Sequence, residues 1–421
     1  MTSLSERLKE LGVQVGARNL NSPPQTSTGL DSILEGREIQ TGNGKTYCIE
    51  KRYPLTHQHG HIPLEPPPIS RVIAQWAKSP ELTELPHDEI AFLDTETSGL
   101  STGTGTFAFI VGVGRFEAQG FKIVQLFLRQ PAEEVALLSA LESHLASCQA
   151  LVTFNGKSFD VPLLRNRYRL NNWDLPPINY LVQLDLLHLS RRLWRESLPD
   201  CCLLSLETYL LGVRRTAEDI PGWQIPDLYF DYLQTGDAHP LKNVFYHNAM
   251  DILSLVTLLH QASGLLDVHA EEEDLLVYEW IARGRLHEEQ GDLEAAAQAY
   301  NAALTNNPLL DETHWRTLQR LSYVHKRRGD LSSAMALWRK AASQGNIYAY
   351  EEFAKVYEHQ EKDYVTAMDW TQAAIHLMQA DDFSPIQRAR WLPELEYRLK
   401  RLERKIQSQK GCNDIESLQP S

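Results

Sequence analysis

From about residue 89 to about residue 185, short apolar runs of strand length alternate with polar turns. Two longer segments between them, "AEEVALLSALESHLASC" and "FDVPLLRNRYRL", place apolar residues at helical spacing. The strand-like runs are "IAFLDTET", "TFAFIVGVGRF", "FKIVQLFLR", "ALVTFNG" and "NYLVQLDLLHL", and the last of these runs into a helix. Three strands in succession, followed by alternating helices and strands, predict a mixed sheet with helices packed on it. The predicted fold class of this region is therefore α/β.

Upstream of this region the pattern predicts a hairpin and little other regular structure. Residues 1–30 are polar and rich in Ser, Thr, Asn and Pro, so we expect them to be largely flexible apart from a short opening helix. The segments "GREIQT" and "KTYCIEKRY" flank the turn signal "GNG", which predicts a β-hairpin within an extension and linker over residues 31–85. His57, His59 and His61 follow at alternate positions, and they fit a metal site, a solvated loop or a loop packed on the next domain.

After about residue 270 the strand-like patterns stop, and an internal repeat of helical character continues to about residue 405. The segments "GDLEAAAQAYNAAL", "GDLSSAMALWRKAA" and "KDYVTAMDWTQAAI" align on Asp292, Asp330 and Asp363, which are 38 and 33 residues apart. Alanine recurs four and eleven residues after each Asp. A helix, a turn at the Asp and an alanine-rich second helix are typical of tetratricopeptide-like repeats, and a plain helical bundle is the alternative. We expect residues 406–421 to form a flexible tail.

Composition narrows the class of protein. The 421 residues are 43% hydrophobic and 23% charged, as in an ordinary soluble globular protein with two or three domains. Five scattered cysteines, with no long apolar stretch and no signal peptide at the start, predict a cytoplasmic protein without a membrane anchor. A net charge of −14 argues against a protein that coats nucleic acid by bulk electrostatics. It does not exclude an enzyme that handles a polyanion through metal ions.

Four acidic residues stand at the ends of predicted strands or within predicted helices. Asp94 and Glu96 in "FLDTETSGL" share one face of the first strand, because successive side chains alternate. Two like charges so close together repel and raise each other's pKa unless a cation lies between them. Asp160 begins a helix after "LVTFNGKSF", a position that is also typical of an N-cap. Asp251 lies in the helix "YHNAMDILSLVTLL", four residues after His247 on the same face.

The ordered set of these acids resembles the DEDD exonucleases of the RNase H-like fold. The matching segments are "DTETSGL", "FNGKSFD" and "HNAMD", and the resemblance covers roughly residues 89–266. Within that superfamily the chain most resembles bacterial predicted ribonuclease-H-like exonucleases with an N-terminal extension and C-terminal tetratricopeptide-like repeats. "RYPLTHQHGH" and "DIPGWQIPDLYFDYLQTGD" are similar to stretches of that group. The resemblance implies an RNase H-like domain over residues 86–268, followed by helical repeats over residues 270–405.

The resemblance also implies a mechanism and a set of site residues. Hydrolysis of a phosphodiester needs an activated water and a stabilised leaving oxygen, which two divalent ions supply together. Mg²⁺ or Mn²⁺ suits ligation by oxygen alone. The implied ligands are the carboxylates of four residues, namely Asp94, Glu96, Asp160 and Asp251.

The last motif departs from the family pattern, which has a Tyr four residues or a His five residues before the final Asp. Here Tyr246 is at minus five and His247 at minus four, so the expected base that orients or deprotonates the water is His247. Asp185, near the end of another strand, corresponds to an acid that related enzymes carry without using it as a principal ligand. Nearby Lys and Arg residues, including Arg214 and Arg215, suit either phosphate contacts or a solvated helix face.

Three functions remain open on the sequence alone. The first is a metal-dependent 3′–5′ exonuclease acting on single-stranded DNA or RNA, with the choice of nucleic acid and of exonuclease over endonuclease undecided. The second is a weakly active or inactive nuclease fold whose repeats bind a protein partner and organise a complex. The third is a metal sensor built on His57, His59 and His61. The oligomeric state is also open.

Overall fold

The computed structural model describes residues 30–99, 105–173, 176–267, 275–306, 311–380 and 383–416. The chain forms two compact units, Met1–Asp274 and Leu275–Ser421. The predicted flexible segment over residues 1–30 lies outside the described residues except for Leu30, at which a helix begins. The predicted domain boundary near residue 270 also lies outside them.

The first unit is built on one seven-stranded sheet with strand order β1-β2-β7-β6-β5-β8-β9. Its strands are β1 (Arg37–Thr41), β2 (Gly44–Tyr53), β5 (Ile90–Thr97), β6 (Ala108–Glu117), β7 (Gly120–Phe127), β8 (Ala150–Thr153) and β9 (Val182–Asp185), and a separate short ribbon is formed by β3 (Gln58–His59) and β4 (Ile62–Pro63). The pairs β5–β8 and β8–β9 are parallel, and the other pairs in the sheet are antiparallel. The mixed sheet confirms the predicted fold class.

Helices flank this sheet. They are α1 (Leu30–Leu34), α2 (Arg71–Trp76), α3 (Glu134–Leu145), α4 (Asp160–Leu170), α5 (Leu186–Trp194), α6 (Leu203–Leu206, continued by a π-helical turn over Glu207–Leu211), α7 (Ile225–Thr235) and α8 (Leu241–Leu265). Helix α8 packs on β5, β6 and β7, and α3 packs on β1, β2 and β7. The rings of Phe109 and Tyr229 stack in the core with centroids 4.0 Å apart, which joins α7 to β6.

The predicted N-terminal hairpin forms and continues the seven-stranded sheet. Strand β2 pairs with β7 over seven residues, from Tyr47 opposite Phe127 to Tyr53 opposite Phe121. Tyr47 is fully buried, and Cys48 and Ile49 are nearly fully buried. Since successive side chains point to opposite faces of the sheet, this part of β2 is covered on both faces. The extension is therefore part of the same hydrogen-bonded sheet as the acids of β5.

The second unit is helical in every part that the structure describes. Its helices are α9 (Val277–Gln290), α10 (Leu293–Asn306), α11 (Asp311–Arg327), α12 (Leu331–Ala342), α13 (Ile347–His359), α14 (Tyr364–Met378) and α15 (Pro385–Glu416). The three aligned Asp residues stand at the starts of α10, α12 and α14, and each accepts a backbone N–H three residues later. All six recurring alanines are fully buried, since a small side chain lets the paired helices approach. Helix α15 continues to Glu416, whereas we expected a flexible tail from residue 406, because no proline or other helix breaker ends it at Lys405.

Candidate active site

Strand β5 brings Asp94 and Glu96 to its carboxyl end, between β6 and β8. Glu96 is buried, with 8% of its surface exposed, and Asp94 is half-buried. The ladder with β6 is irregular between Glu96 and Thr97, at the point where the strand ends. Between the two acids, the Thr95 hydroxyl donates a hydrogen bond to the Asp160 carboxylate at the start of α4. The first two predicted acidic motifs therefore meet at one end of the sheet.

Helix α8 adds the third motif and an amide that the sequence analysis missed. The Asn248 amide donates to Asp94 Oδ2 at 2.8 Å and to the Asp94 carbonyl at 3.2 Å. Asn248 is itself held by Gln125, whose amide donates to Asn248 Oδ1 at 2.9 Å. Gly112 makes this approach feasible, because a Cβ at that position would lie 2.3 Å from Asn248 Oδ1. The missed signal was a polar residue on the same helical face as Asp251, three positions before it.

Asp251 is ion-paired with a buried arginine. The side chain of Arg215 is 7% exposed and contacts the carboxylates of Asp251 and Glu207. It reaches Glu207 through Nε at 2.7 Å and through Nη2 at 2.6 Å. Its Nη1 also lies 3.3 Å from Asp219 Oδ1. Burial lowers the pKa of the guanidinium, but the hydrogen bond to Glu207 and the charges of Asp251 and Glu207 outweigh burial and raise it above its ordinary value. Arg215 is thus a permanent cation inside the acidic site rather than a surface contact for phosphate.

Glu207 is the other site residue that the sequence analysis missed. Its side chain is fully buried, and it accepts hydrogen bonds from Arg215 and from the Ser254 hydroxyl at 2.6 Å. An acid inside the apolar run "CLLSLETYLLGV" was the available signal, since a buried carboxylate needs a partner. The sequence did not show that this partner stands eight residues later.

The acids at this site repel each other strongly. Burial, followed by the charges of Asp251 and Asp160, raises the pKa of Asp94 well above its ordinary value. Burial and the charge of Asp94 do the same to the pKa of Glu96, and burial raises the pKa of Asp160 to about 6. Asp94 is therefore repelled by the charges of Asp160 and Asp251, and Glu96 by the charges of all three, although the charge of Arg215 offsets part of this repulsion.

The donor set fits a divalent cation in its chemistry. Glu96 Oε1 is buried and has no hydrogen-bond partner among the described residues, as befits an oxygen available for another ligand. In the part of the chain that the structure describes, however, no group of three or more His, Cys, Asp or Glu side chains is arranged to hold a metal ion. Three of the four acids are instead tied to protein donors, namely Asp94 to Asn248, Asp160 to Thr95 and Asp251 to Arg215. A metal would have to exchange with some of these donors.

The structure places His247, and not Tyr246, beside the acids. Nδ1 of His247 lies 2.8 Å from Asp219 Oδ1, and Nε2 lies 3.8 Å from Asp251 Oδ2. Arg215 Nη1 is also 3.2 Å from Nδ1, but the shorter contact to a carboxylate favours a proton on Nδ1, which leaves Nε2 free to accept one. The Tyr246 hydroxyl instead accepts the backbone N–H of Thr216 at 3.2 Å.

Asp185 has a structural role. It is fully buried, and its carboxylate accepts the backbone N–H groups of Asn155, Lys157 and Leu187 at 2.8 to 3.1 Å. It therefore caps α5 and fixes the loop that leads to Asp160. The loop needs these hydrogen bonds because Asn155 has a φ of 63°, in the left-handed region that residues other than glycine seldom adopt.

His57 and His59 of the extension lie in different environments. His59 is 3% exposed, and its Nε2 lies 2.7 Å from the Ser254 hydroxyl oxygen. Burial, with smaller contributions from His57 and Arg215, lowers the pKa of His59 to about 3. The His57 ring packs against Tyr53 with centroids 4.9 Å apart. The loop packed on the next domain, rather than the metal site, is the interpretation that this geometry fits.

Comparison with known proteins agrees with the architecture. A family model described as RNase_H superfamily matches residues 91–263. The chain is 32% identical over 342 residues to a protein described as uncharacterized protein YprB of Bacillus subtilis (strain 168), a match that covers 78% of this chain and 80% of that protein. The chain belongs to the YprB family. The superfamily match covers the acids of β5, α4 and α8, and RNase H-like domains are nuclease-type domains that generally use divalent metals.

None of the described helices is long and apolar enough to cross a membrane.

Proposed function

We propose that this YprB-family protein is a metal-dependent 3′–5′ exonuclease of the DEDD type that acts on single-stranded DNA or RNA. The observation that carries the proposal is Glu96 Oε1, which is buried and lacks a hydrogen-bond partner among the described residues, beside Asp94, Asp160 and Asp251, whose charges repel the charge of Glu96. A cluster that stays repulsive in the absence of a cation costs stability, and a bound cation would relieve that repulsion.

The four acids would hold Mg²⁺ or Mn²⁺, which would supply charge stabilisation at the scissile phosphate and help to activate water. His247 would accept a proton at Nε2, because its Nδ1–H is directed to Asp219. Asn248 would orient Asp94, and Arg215 would leave Asp251 but stay within reach of Glu207 and Asp219. The described helices of the second unit would form tetratricopeptide-like repeats that bind a protein partner.

The test is degradation of end-labelled single-stranded DNA and RNA by the full-length protein in Mg²⁺, Mn²⁺ or EDTA. A 5′-labelled strand should shorten stepwise in the presence of metal and remain intact in EDTA. Asp94→Asn should abolish cleavage, whereas Asp88→Asn, at an exposed acid of the same unit, should leave it unchanged. Substantial cleavage by Asp94→Asn would rule out this ligand set.

A second function is favoured by the ion pair between Arg215 and Asp251. A guanidinium fixed on a ligand carboxylate could hold the site in a metal-free state, and the protein would then be an inactive scaffold. Titration calorimetry with Mn²⁺ distinguishes the two functions, since a scaffold would take up no ion at this site. Binding that is lost in Asp94→Asn supports the exonuclease.

A further inference from the structure

The second unit carries a strip of basic side chains on an otherwise acidic protein. Two grooves both have Arg401 in their lining, and the larger has a volume of about 610 Å³. Their basic lining residues come from α11, α13 and α15, and they are Lys326, Lys355, Arg398, Arg401, Arg404 and Lys405. The whole chain has a net charge of −14, so this concentration of positive charge is a local feature of one surface.

Buried carboxylates hold several of these cations in place. Glu358 is 1% exposed and contacts Arg398 at 2.8 Å, Arg401 at 2.7 Å and Lys405 at 2.9 Å. Glu352, which is 3% exposed, contacts Lys326 and Lys355 in the same manner. A third acid, Glu351, contacts Lys355 at 3.0 Å and Arg398 at 3.5 Å. The six basic side chains still outnumber these three acids, and about a third of the side chain stays exposed at Lys326, Lys355, Arg401 and Lys405, so the strip presents net positive charge to solvent.

These ion pairs alone would explain a bridge that fastens α15 to α13. They do not explain Arg404, which is exposed and whose Nε donates a hydrogen bond to the Lys400 carbonyl on its own helix at 3.2 Å. They also do not explain two tyrosines in the larger groove. Tyr397 is 62% exposed with Arg401 5.9 Å from its ring centroid, and Tyr364 has Lys405 5.1 Å from its ring centroid.

Alternating cations and aromatic rings match the two chemical parts of a single strand of nucleic acid. Phosphates pair with Arg and Lys, and unpaired bases stack on exposed rings. An acidic polypeptide would satisfy the cations but would leave Tyr397 without a planar partner. We propose that this groove binds single-stranded nucleic acid, as a site separate from the acids of the first unit. The proposal does not depend on metal-dependent cleavage.

The first test measures binding of a fluorescein-labelled 20-nucleotide single strand to the full-length protein in EDTA, by fluorescence anisotropy. Loss of one phosphate contact at about 50 mM salt corresponds to roughly an eightfold loss of affinity and lowers the salt slope by about 0.7. Arg404→Glu should show at least that loss. Lys340→Glu is the matched control, because it makes the same charge change at an exposed lysine of α12 outside the groove. Equal affinities for Arg404→Glu and wild type would overturn the proposal.

The second test separates bases from phosphates. Tyr397→Ala should weaken binding about fivefold to a hundredfold, and Tyr397→Phe should retain it, because stacking needs the ring and not the hydroxyl. An abasic strand of equal length should bind more weakly and should be insensitive to Tyr397→Ala. If the abasic strand binds as tightly as the normal one, or if poly-glutamate of equal charge displaces the labelled strand as well as unlabelled DNA does, the groove is not a nucleic-acid site.

Binding in EDTA also separates this proposal from the proposed function. If a strand binds through Arg404 and Tyr397 but is never cleaved with metal present, the proposed exonuclease activity is refuted and the proposed binding groove is supported. If the protein cleaves strands but neither substitution changes binding, the groove is refuted and the exonuclease activity is supported.

Discussion

Replacing Arg215 by methionine should destabilise the metal-free protein strongly. The aliphatic part of the arginine is retained in volume, so the change removes mainly the charge and its hydrogen bonds. Glu207, which is fully buried, would lose two charge-assisted hydrogen bonds of 2.6 and 2.7 Å and keep only the Ser254 hydroxyl. Removing one partner of a buried ion pair costs about 3–5 kcal/mol, because the other charge stays buried without compensation.

The contacts of Arg215 contribute unequally to the loss of stability expected for Arg215→Met. Asp251 and Asp219 are 17% and 20% exposed in their side chains, so water replaces part of what Arg215 supplies, at about 0–1 kcal/mol each. Most of the loss therefore comes from Glu207. We expect a total of about 4 kcal/mol, which corresponds to roughly a thousandfold faster exchange of the slowest amides.

Amide hydrogen exchange in α8 is the suitable assay, because this helix packs on three strands and carries Asp251. Arg214→Met is the matched control, since Arg214 is the exposed neighbour and its replacement should stay within about 0.5 kcal/mol. Combining Arg215→Met with Glu207→Leu should recover most of the loss, because an apolar pair leaves no buried charge. Exchange at the wild-type rate in Arg215→Met, or no recovery in the double variant, would refute the assignment of Arg215 as the counter-ion of Glu207.

Three further predictions concern the same unit. Because burial raises the pKa of Asp160 from 3.8 to about 6, this group binds its proton more tightly when folded, so the metal-free protein should lose about 2 kcal/mol of stability as pH rises from 4 to 6. Asp160→Asn should flatten that part of a urea-unfolding pH series, and an unchanged slope would contradict it. His247→Ala should slow single-turnover cleavage by roughly 10²–10⁴-fold with little change in metal affinity. Tyr246→Phe, the control, should leave the cleavage rate nearly unchanged. If Tyr246→Phe slows cleavage and His247→Ala does not, Tyr246 rather than His247 faces the acids. A chain ended at Asp274 should fold and still cleave short oligonucleotides, and a folded but inert product would place the helices in the active site.

Local periodicity was sufficient to predict the strands and the face of the first motif. Alternation put Asp94 and Glu96 on one side of β5, and turn chemistry located the hairpin of β1 and β2. The aligned Asp residues marked helix starts because capping is a local interaction. Each of these features is decided by residues within a few positions of one another.

The partners of the acids could not be predicted in the same way. Asn248 meets Asp94 across 154 residues of chain, and Arg215 meets Asp251 across 36. Such contacts follow from which helix packs on which strand, and a pattern of apolar residues does not fix the register of that packing. The sequence therefore indicated which residues are acidic at the site, but not which donors neutralise them.

The N-terminal extension belongs physically to the site, although it precedes the superfamily match at residues 91–263. Gly60 has a φ of 67°, and a Cβ there would lie 1.9 Å from the Leu211 carbonyl oxygen, so the extension lies directly against the turn that carries Glu207.

The Ser254 hydroxyl has one proton and donates it to Glu207, so His59 must donate its own Nε2–H to the Ser254 oxygen. This fixes the tautomer of His59 and extends the chain of hydrogen bonds through Glu207 and Arg215 to Asp251. Since β2 also pairs with β7, the extension both completes the sheet and supports the counter-ion of an acidic residue at the site. A boundary at residue 86, drawn from the motifs alone, therefore divides a single hydrogen-bonded assembly.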